Sequence, residues 1–312
     1  MNERLTVVAG SSVTPLAEKI AAENKTPLVG VITTNFNDGE SKPSIDGRSI
    51  RGDKVFVVQS TFAPAENLHE LLKIGDAAKR ASAQSIIAVI PYFGDARQDK
   101  KDGPRVPITA KLNADLIQAA GYTRIITMDL HADQIQGFFN IPVDHLYASA
   151  IFVPHIQRLN LQNLTMASPD TGGTRRAGKY ANFLNVDMVV CYKNRVEANK
   201  IKEMKLIGDV KDKDVVFVDD IVDTAGTLTK ASNLVMEKGA RSVRAFCTHP
   251  VLSGDACKLI EESALEELYV TDTIPLKCES NKIKVLSTAK LFSEAIMRVL
   301  TDTSVSTLFY VV

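Results

Sequence analysis

The chain has 312 residues, a length that two domains of about 150 residues each fill comfortably. Its composition, 45% hydrophobic and 24% charged, is that of an ordinary globular protein able to bury a core without staples. The 37 basic and 37 acidic residues cancel, which argues against partners recognised through bulk charge, so neither nucleic acid nor a membrane surface is expected. Any positive charge that meets an anionic ligand must therefore be gathered locally.

Short apolar runs alternate with amphipathic stretches along the whole chain. In the first half the expected strands are Leu5–Ala9, Leu28–Ile32, Val55–Val58, Ile86–Ile90 and Ile125–Met128. In the second half they are Leu164–Ala167, Met188–Tyr192, Val215–Val218, Val243–Cys247 and Leu268–Val270. Helical patterns lie between many of them, such as Pro15 to Glu23, with Thr14 placed to cap it, and Thr227 to Lys238. Strands apolar on both faces and separated by helices predict α/β architecture with mostly parallel, doubly covered sheets.

The halves also echo each other. A displacement of about 160 positions carries Val8 onto Ser168, Val29 onto Val189 and Val55 onto Val215, which predicts two similar α/β domains in tandem. The expected division is 1–149 and 150–312, with the last ~20 residues packing back on the first domain. Cys191, Cys247, Cys257 and Cys278 show no C-x-x-C pair and read as reduced thiols. The N-terminus lacks a signal-peptide core, and no apolar run approaches the ~20 residues of a membrane span, so a cytoplasmic protein is expected.

The strongest local signal is Val215-Val216-Phe217-Val218-Asp219-Asp220-Ile221-Val222-Asp223-Thr224-Ala225-Gly226-Thr227. Ligands in parallel sheets bind beyond the carboxyl ends of strands, where Asp219 and Asp220 fall. Adjacent carboxylates repel unless something answers them, and the vicinal hydroxyls of a ribose can, because a carboxylate only accepts hydrogen bonds. The small-residue turn Asp223-Thr224-Ala225-Gly226-Thr227 then opens a helix, offering backbone N–H groups and hydroxyls to a phosphate.

This segment resembles the 5-phosphoribosyl-1-diphosphate (PRPP) binding motif shared by phosphoribosyltransferases and PRPP synthetases. A second segment, Asp129-Leu130-His131-Ala132-Asp133-Gln134-Ile135-Gln136-Gly137-Phe138-Phe139, closely resembles the signature of ribose-phosphate diphosphokinases, which the transferases lack. The resemblance is to the phosphate-activated class I type, with its phosphoribosyltransferase-like fold. It implies transfer of the β,γ-diphosphate of MgATP to the C1 hydroxyl of ribose 5-phosphate, giving PRPP and AMP for nucleotide biosynthesis.

The same resemblance implies roles residue by residue. Phe36, Asp38 and Glu40 match the adenine-binding loop, while Arg97, Gln98 and Asp99, with His131, match the ATP contacts. Asp129, His131 and Asp170 stand where the family places Mg²⁺, and Ser168-Pro169-Asp170-Thr171-Gly172-Gly173 resembles the loop that receives the diphosphate. Lys193 and Arg195 match a catalytic pair on a mobile flap, with His131 as a further catalytic candidate; Asp219, Asp220 and 223–227 match the ribose 5-phosphate site. Family members form dimers that stack into hexamers, with effector sites for phosphate and ADP at positions matching Ser49, Arg51, Ser82, Gln136, Asp144, Ser304, Ser306 and Phe309.

Three departures from the pattern stand out: Ser41-Lys42-Pro43 in place of an extended β-type segment, Asn140 where aspartate is common, and Thr307 where tyrosine is. No G-x-x-x-x-G-K-[ST] occurs, so this is not a P-loop kinase. A phosphoribosyltransferase would leave the adenine loop, Arg97 and the Asp129/His131 segment idle. A catalytically silent regulatory subunit is opposed by the intact Lys193, Arg195, Asp129 and His131.

Overall fold

The computed structural model describes residues 4–197 and 200–309, with side chains described for all of these except 193–203 and 309. In chain order the elements are β1 (Leu5–Ala9), α1 (Thr14–Glu23), β2 (Leu28–Val29), β3 (Val31–Asn35), β4 (Ser41–Ile45), β5 (Lys54–Val58), α2 (Glu66–Arg80), β6 (Ser85–Ile90), α3 (Thr109–Ala119), β7 (Arg124–Met128) and β8 (Val143–Leu146). They continue as α4 (Ser149–Arg158), β9 (Thr165–Ser168), α5 (Thr174–Leu184), β10 (Asp187–Glu197), β11 (Lys200–Ile207), β12 (Asp214–Val222) and α6 (Gly226–Glu237). The last are β13 (Ser242–Pro250), α7 (Ala256–Glu262), β14 (Glu267–Thr271), β15 (Ile283–Leu286) and α8 (Ala289–Leu300).

The chain divides into two compact units. One runs to Tyr147 and takes in Thr273–Pro275 and Ser287–Phe309; the other comprises Ala148–Asp272 and Leu276–Leu286. Among the described residues the first unit carries a six-stranded sheet in the order β2-β1-β5-β6-β7-β8. The second carries a seven-stranded sheet, β11-β10-β9-β12-β13-β14-β15. All neighbours are parallel except the β10–β11 pair. With β11 set aside, the two orders are the same, so the displacement read from the sequence reflects a repeated topology.

Burial explains why these strands form. Residues 55–58, 86–90 and 125–128 are buried on both faces of their sheet, the environment in which continuous Val/Ile runs are stable. The second unit packs Val189, Phe217, Ala231, Val243 and Leu268 into its own core. No described helix is long and apolar enough to cross a membrane.

Several expectations need correction. The expected strand Leu28–Ile32 breaks at Gly30: β2 stays in the main sheet, while β3 turns away to pair antiparallel with β4. Ser41-Lys42-Pro43 is extended after all, since Pro43 sits opposite Thr33 in a two-stranded ribbon that has edges to spare for a residue without an N–H. Thr14 lies inside α1 and makes no cap; its hydroxyl donates to the Gly10 carbonyl at 3.1 Å. Cys257 and Cys278 form a disulfide with Cα atoms 6.6 Å apart, while Cys191 and Cys247 are buried and outside any disulfide. The segment around Cys278 is drawn against α7 because Lys282 Nζ donates to the Glu261 and Ser263 carbonyls, both at 2.8 Å.

One buried charge pins the start of β12. Asp214 receives hydrogen bonds from Arg241 Nε (2.9 Å), Ser242 Oγ (2.6 Å) and the Gln162 N–H (2.9 Å). Burial alone would raise its carboxyl, but these donors outweigh it and hold the group below the ordinary range. A depressed carboxylate contributes stability above its unfolded pKa and loses it as pH falls through the folded one. Asp214→Ala should cost about 2–3 kcal/mol near neutrality, the lower end for a broken buried pair because Arg241 is partly exposed. The gap to wild type should shrink by about pH 3 in urea titrations; a gap independent of pH would contradict this account.

Candidate active site

In the second unit the acid pair lies on a strand, not beyond one. β12 runs on to Val222 because β13 accompanies it to Pro250, with Asp219 opposite Cys247. On its other side β9 pairs only with Val215–Phe217. Asp219 and Asp220 therefore sit where β12 outruns β9, and the vacated edge is occupied by the loop 169–173. A Cβ placed on Gly173 would stand 2.8 Å from Ser168 Oγ and 3.9 Å from Asp219 Oδ1, so the loop needs glycine there to come this close.

Two carboxylates roughly 4 Å apart repel by about 4 kcal/mol at an effective dielectric constant of 20. Arg176 on α5 answers them: its NH1 lies 2.6 Å from Asp220 Oδ1 and 3.3 Å from Asp219 Oδ1. The Asp220 N–H also donates to Asp219 Oδ1 at 3.0 Å. Burial and then the Asp220 charge still push the Asp219 carboxyl well above the ordinary carboxylate range, with Arg176 opposing. The same two acids, after burial, raise the Cys247 thiol. Sequence reasoning missed Arg176, which lies 43 and 44 positions from the acids it meets.

The turn into α6 is held in an unusual backbone conformation. Ala225 adopts a left-handed backbone (φ 60°, ψ −6°), a conformation that an L residue enters only when its surroundings enforce it. The enforcement is visible: Leu252 N–H donates to Val222 O, Ser253 N–H to Asp223 O, and Thr229 N–H to Ala225 O. The first-turn amides of a helix have no partners within it and point outward with the positive end of the dipole. A Cβ at Gly226 would meet only Thr224 Oγ1, at 3.9 Å, so the fold itself does not require that glycine. The space it leaves suits close approach by a phosphate.

In the loop after β9, Asp170 Oδ1 accepts the Gly172 N–H (3.0 Å) and the Gly173 N–H (3.3 Å). Ser168 Oγ donates to the Asp170 carbonyl at 2.6 Å. Lys193 and Arg195 fall on β10, opposite Met204 and Ile201 of β11, with register shifts on either side of Arg195. Their side chains lie outside the described residues.

In the first unit, Phe36 stands at the tip of the β3–β4 ribbon, 46% exposed, with Lys42 Nζ 5.9 Å from its ring centroid. The tip closes through Phe36 N–H to Glu40 O (2.8 Å) and Glu40 N–H to Asp38 Oδ1 (3.0 Å), which brings the three adenine candidates into one turn. Lys73 of α2 anchors the ribbon by donating to Ser41.

The loop after β6 carries the exposed Arg97. Gln98 is committed within that loop: Nε2 donates to Asp95 Oδ1 (3.0 Å) and Oε1 accepts from Thr109 Oγ1 (2.6 Å). Asp99 accepts from Gln134 at 3.3 Å. Gly94 passes against Thr61, and a Cβ there would lie 2.0 Å from the Thr61 carbonyl oxygen.

Asp129 follows β7, buried and with φ 37°, and His131 is exposed two residues later. Their loop is organised by His145 of β8, a residue the sequence did not single out. His145 Nε2 accepts the Leu130 N–H at 2.9 Å, and Gln136 lies 3.2 Å from Nδ1.

Of the effector candidates, Ser49 and Arg51 share one turn (Arg51 N–H to Ser49 Oγ, 3.4 Å), and Gly52 N–H donates to Ser82 O at 2.9 Å. Asp144 is paired with Arg124 at 2.8 Å, and Gln136 also donates to Asp133 O. Ser304 Oγ accepts the Ser306 N–H at 3.2 Å; the Phe309 side chain lies outside the described residues. No three described His, Cys, Asp or Glu side chains gather as a metal cluster.

Residues 5–121 match the family described as the N-terminal domain of ribose phosphate pyrophosphokinase, and 187–310 match the phosphoribosyl synthetase-associated domain. The chain is 56% identical over 305 residues to the ribose-phosphate pyrophosphokinase of Porphyromonas gingivalis, covering 97% of each protein. It is 54% identical to that of Wolinella succinogenes, covering 97% of this chain and 98% of the relative. The crystal structure of phosphoribosylpyrophosphate synthetase from Mycobacterium smegmatis superposes with a TM-score of 0.90 at 38% identity, over 96% of this chain and all of that one.

Proposed function

Because the chain belongs to the ribose-phosphate pyrophosphokinase family, we infer that it converts ATP and ribose 5-phosphate to PRPP and AMP. The observation that carries the substrate reading is the acid pair at the end of β12, followed by the left-handed Ala225 and an open Gly226 at the start of α6. A diol donates to Asp219 and Asp220, and the 5-phosphate meets the hydroxyls and amides of 223–227.

ATP is taken by the first unit. Phe36 offers an exposed ring face for stacking on adenine, with Asp38 and Glu40 in the same turn for its edge. Arg97 meets the phosphates; Gln98, held by Asp95 and Thr109, shapes the loop that presents it. His131 donates to a triphosphate oxygen.

Asp129 in the first unit and Asp170 in the second each offer the hard carboxylate oxygens that Mg²⁺ takes, and a cation that keeps waters and substrate phosphates needs no closed protein cage. Held by such a carboxylate, Mg²⁺ would neutralise charge on the phosphate oxygens. The C1 hydroxyl of ribose 5-phosphate attacks the β-phosphorus, the bond from that phosphorus to the α,β-bridging oxygen breaks, AMP leaves, and the hydroxyl proton is released. Lys193 and Arg195 bring positive charge to the transferring group. Homo-oligomers built from dimers, with phosphate and ADP as effectors at Ser49, Arg51 and Ser82, are the corresponding assembly. The reading is tested by ³¹P NMR of the protein with MgATP and ribose 5-phosphate. PRPP and AMP should appear in equal amounts, and ADP as sole nucleotide product would rule out diphosphate transfer.

A further inference from the structure

The first unit shows what the end of β12 would look like without a ligand to serve. β5 corresponds to β12, and just past it stands Gln59, fully buried. Its Oε1 accepts from Ser12 N–H (3.0 Å) and Ser12 Oγ (2.7 Å), and its Nε2 donates to Asn67 O (3.1 Å) and Glu70 Oε2 (2.7 Å). That corner is closed by protein on every side. In the second unit the same corner holds two acids, and one guanidinium nitrogen spans both of them. Asp220 is 7% exposed at its side chain and Asp219 34%, with Arg176 at 25%, so the cluster opens to solvent on the Asp219 side.

Arg176 stands on the first turn of α5, directly after the loop whose Gly173 approaches Asp219. Its position is thus tied to the diphosphate-loop candidate as well as to the acids. We propose that Arg176 is a positioning residue for the sugar: it holds the Asp219 and Asp220 carboxylates side by side against their repulsion, so that together they select a vicinal diol. This rests on the ribose 5-phosphate reading of 219–227 and adds a specificity determinant to it. A residue that holds two acceptors at the spacing of a cis-diol matters most for the sugar bearing both hydroxyls. Its loss should weaken ribose 5-phosphate far more than 2-deoxyribose 5-phosphate, which can satisfy only one.

The test uses the full-length Arg176→Gln and Arg176→Lys variants. For Arg176→Gln we expect the KM for ribose 5-phosphate to rise by about 10- to 100-fold, the range for losing charge-assisted hydrogen bonds, with the KM for ATP within twofold. Calorimetric titration should show the preference for ribose 5-phosphate over 2-deoxyribose 5-phosphate falling by a similar factor. Arg176→Lys, which keeps a cation of the same sign and guards against misfolding, should recover part of both. A ribose 5-phosphate KM within twofold of wild type, or equal rises for ATP and both sugars, would overturn the proposal. Asp220→Asn separates the two readings: if it too leaves ribose 5-phosphate binding intact, the pocket itself is misassigned. If it weakens binding while Arg176→Gln does not, only the role of Arg176 fails.

Discussion

Lys193→Ala is expected to lower kcat by at least about 10³, the lower bound for a positioned cation in phosphoryl transfer, while ribose 5-phosphate binding and the fold persist. Charge spreads over the oxygens of the transferring group, so a cation meeting them chiefly in the transition state acts on kcat rather than on substrate affinity. The backbone explains why the fold should survive. β10 is parallel to β9 only over Asp187–Val190; beyond that it pairs with β11 alone, and Lys193 lies on this two-stranded extension rather than in the sheet interior. Circular dichroism, calorimetric titration with ribose 5-phosphate and single-turnover rates check the three parts separately. A fall in kcat of less than tenfold would remove Lys193 from the chemistry. Lys193→Arg, retaining charge with a different geometry, should fall between the two.

The elements legible in the sequence are those whose burial is continuous. β1, β5, β6, β7 and β14 lie inside their sheets and read as mostly apolar runs. β8 escaped because two of its four residues, Asp144 and His145, are polar and buried through specific partners, Arg124 and the Leu130 N–H. β4 carries lysine and proline on a half-exposed ribbon, and β15 is an edge strand with a lysine in its middle. Neither has an apolar face long enough to register as a period.

The site divides along the same line. The candidate ligand loops, at 219–227 and 168–173, are made of contiguous residues and could be read in order. What holds them is not local. Arg176 meets its acids across the sheet, and Gln59 shows that the same corner of a duplicate can be closed by Ser12 and Glu70 instead. Nothing in the identity of an arginine on an amphipathic helix marks it as facing inward to two carboxylates. Only the point where β12 outruns β9 makes that contact possible.

Gly226→Ala and Gly94→Ala should have opposite effects, because the two glycines are small for different reasons. At Gly94 the added methyl would lie 2.0 Å from the Thr61 carbonyl oxygen and 2.8 Å from its carbon, both backbone atoms that cannot step aside. Thr61 is also held by its N–H to the Tyr92 carbonyl and by its hydroxyl accepting the Gly94 N–H at 2.7 Å. The variant should therefore lose about 3 kcal/mol or more, the upper range for overpacking. At Gly226 the added methyl meets nothing nearer than Thr224 Oγ1 at 3.9 Å, and the residue begins a helix in a conformation open to alanine. Its folded state should be unchanged or steadier by about 0.4–1 kcal/mol, since alanine has less chain entropy to lose. Under the ribose 5-phosphate reading, the methyl takes the space the phosphate would need against the helix start, and losing a charge-assisted hydrogen bond costs about 10- to 100-fold in affinity. The expected signature is a Tm equal to or above wild type in calorimetry, with the KM for ribose 5-phosphate raised about 10- to 100-fold and that for ATP unchanged. If Gly226→Ala keeps its ribose 5-phosphate KM, the phosphate does not lie against residue 226, and the anion site belongs elsewhere on the 223–227 turn.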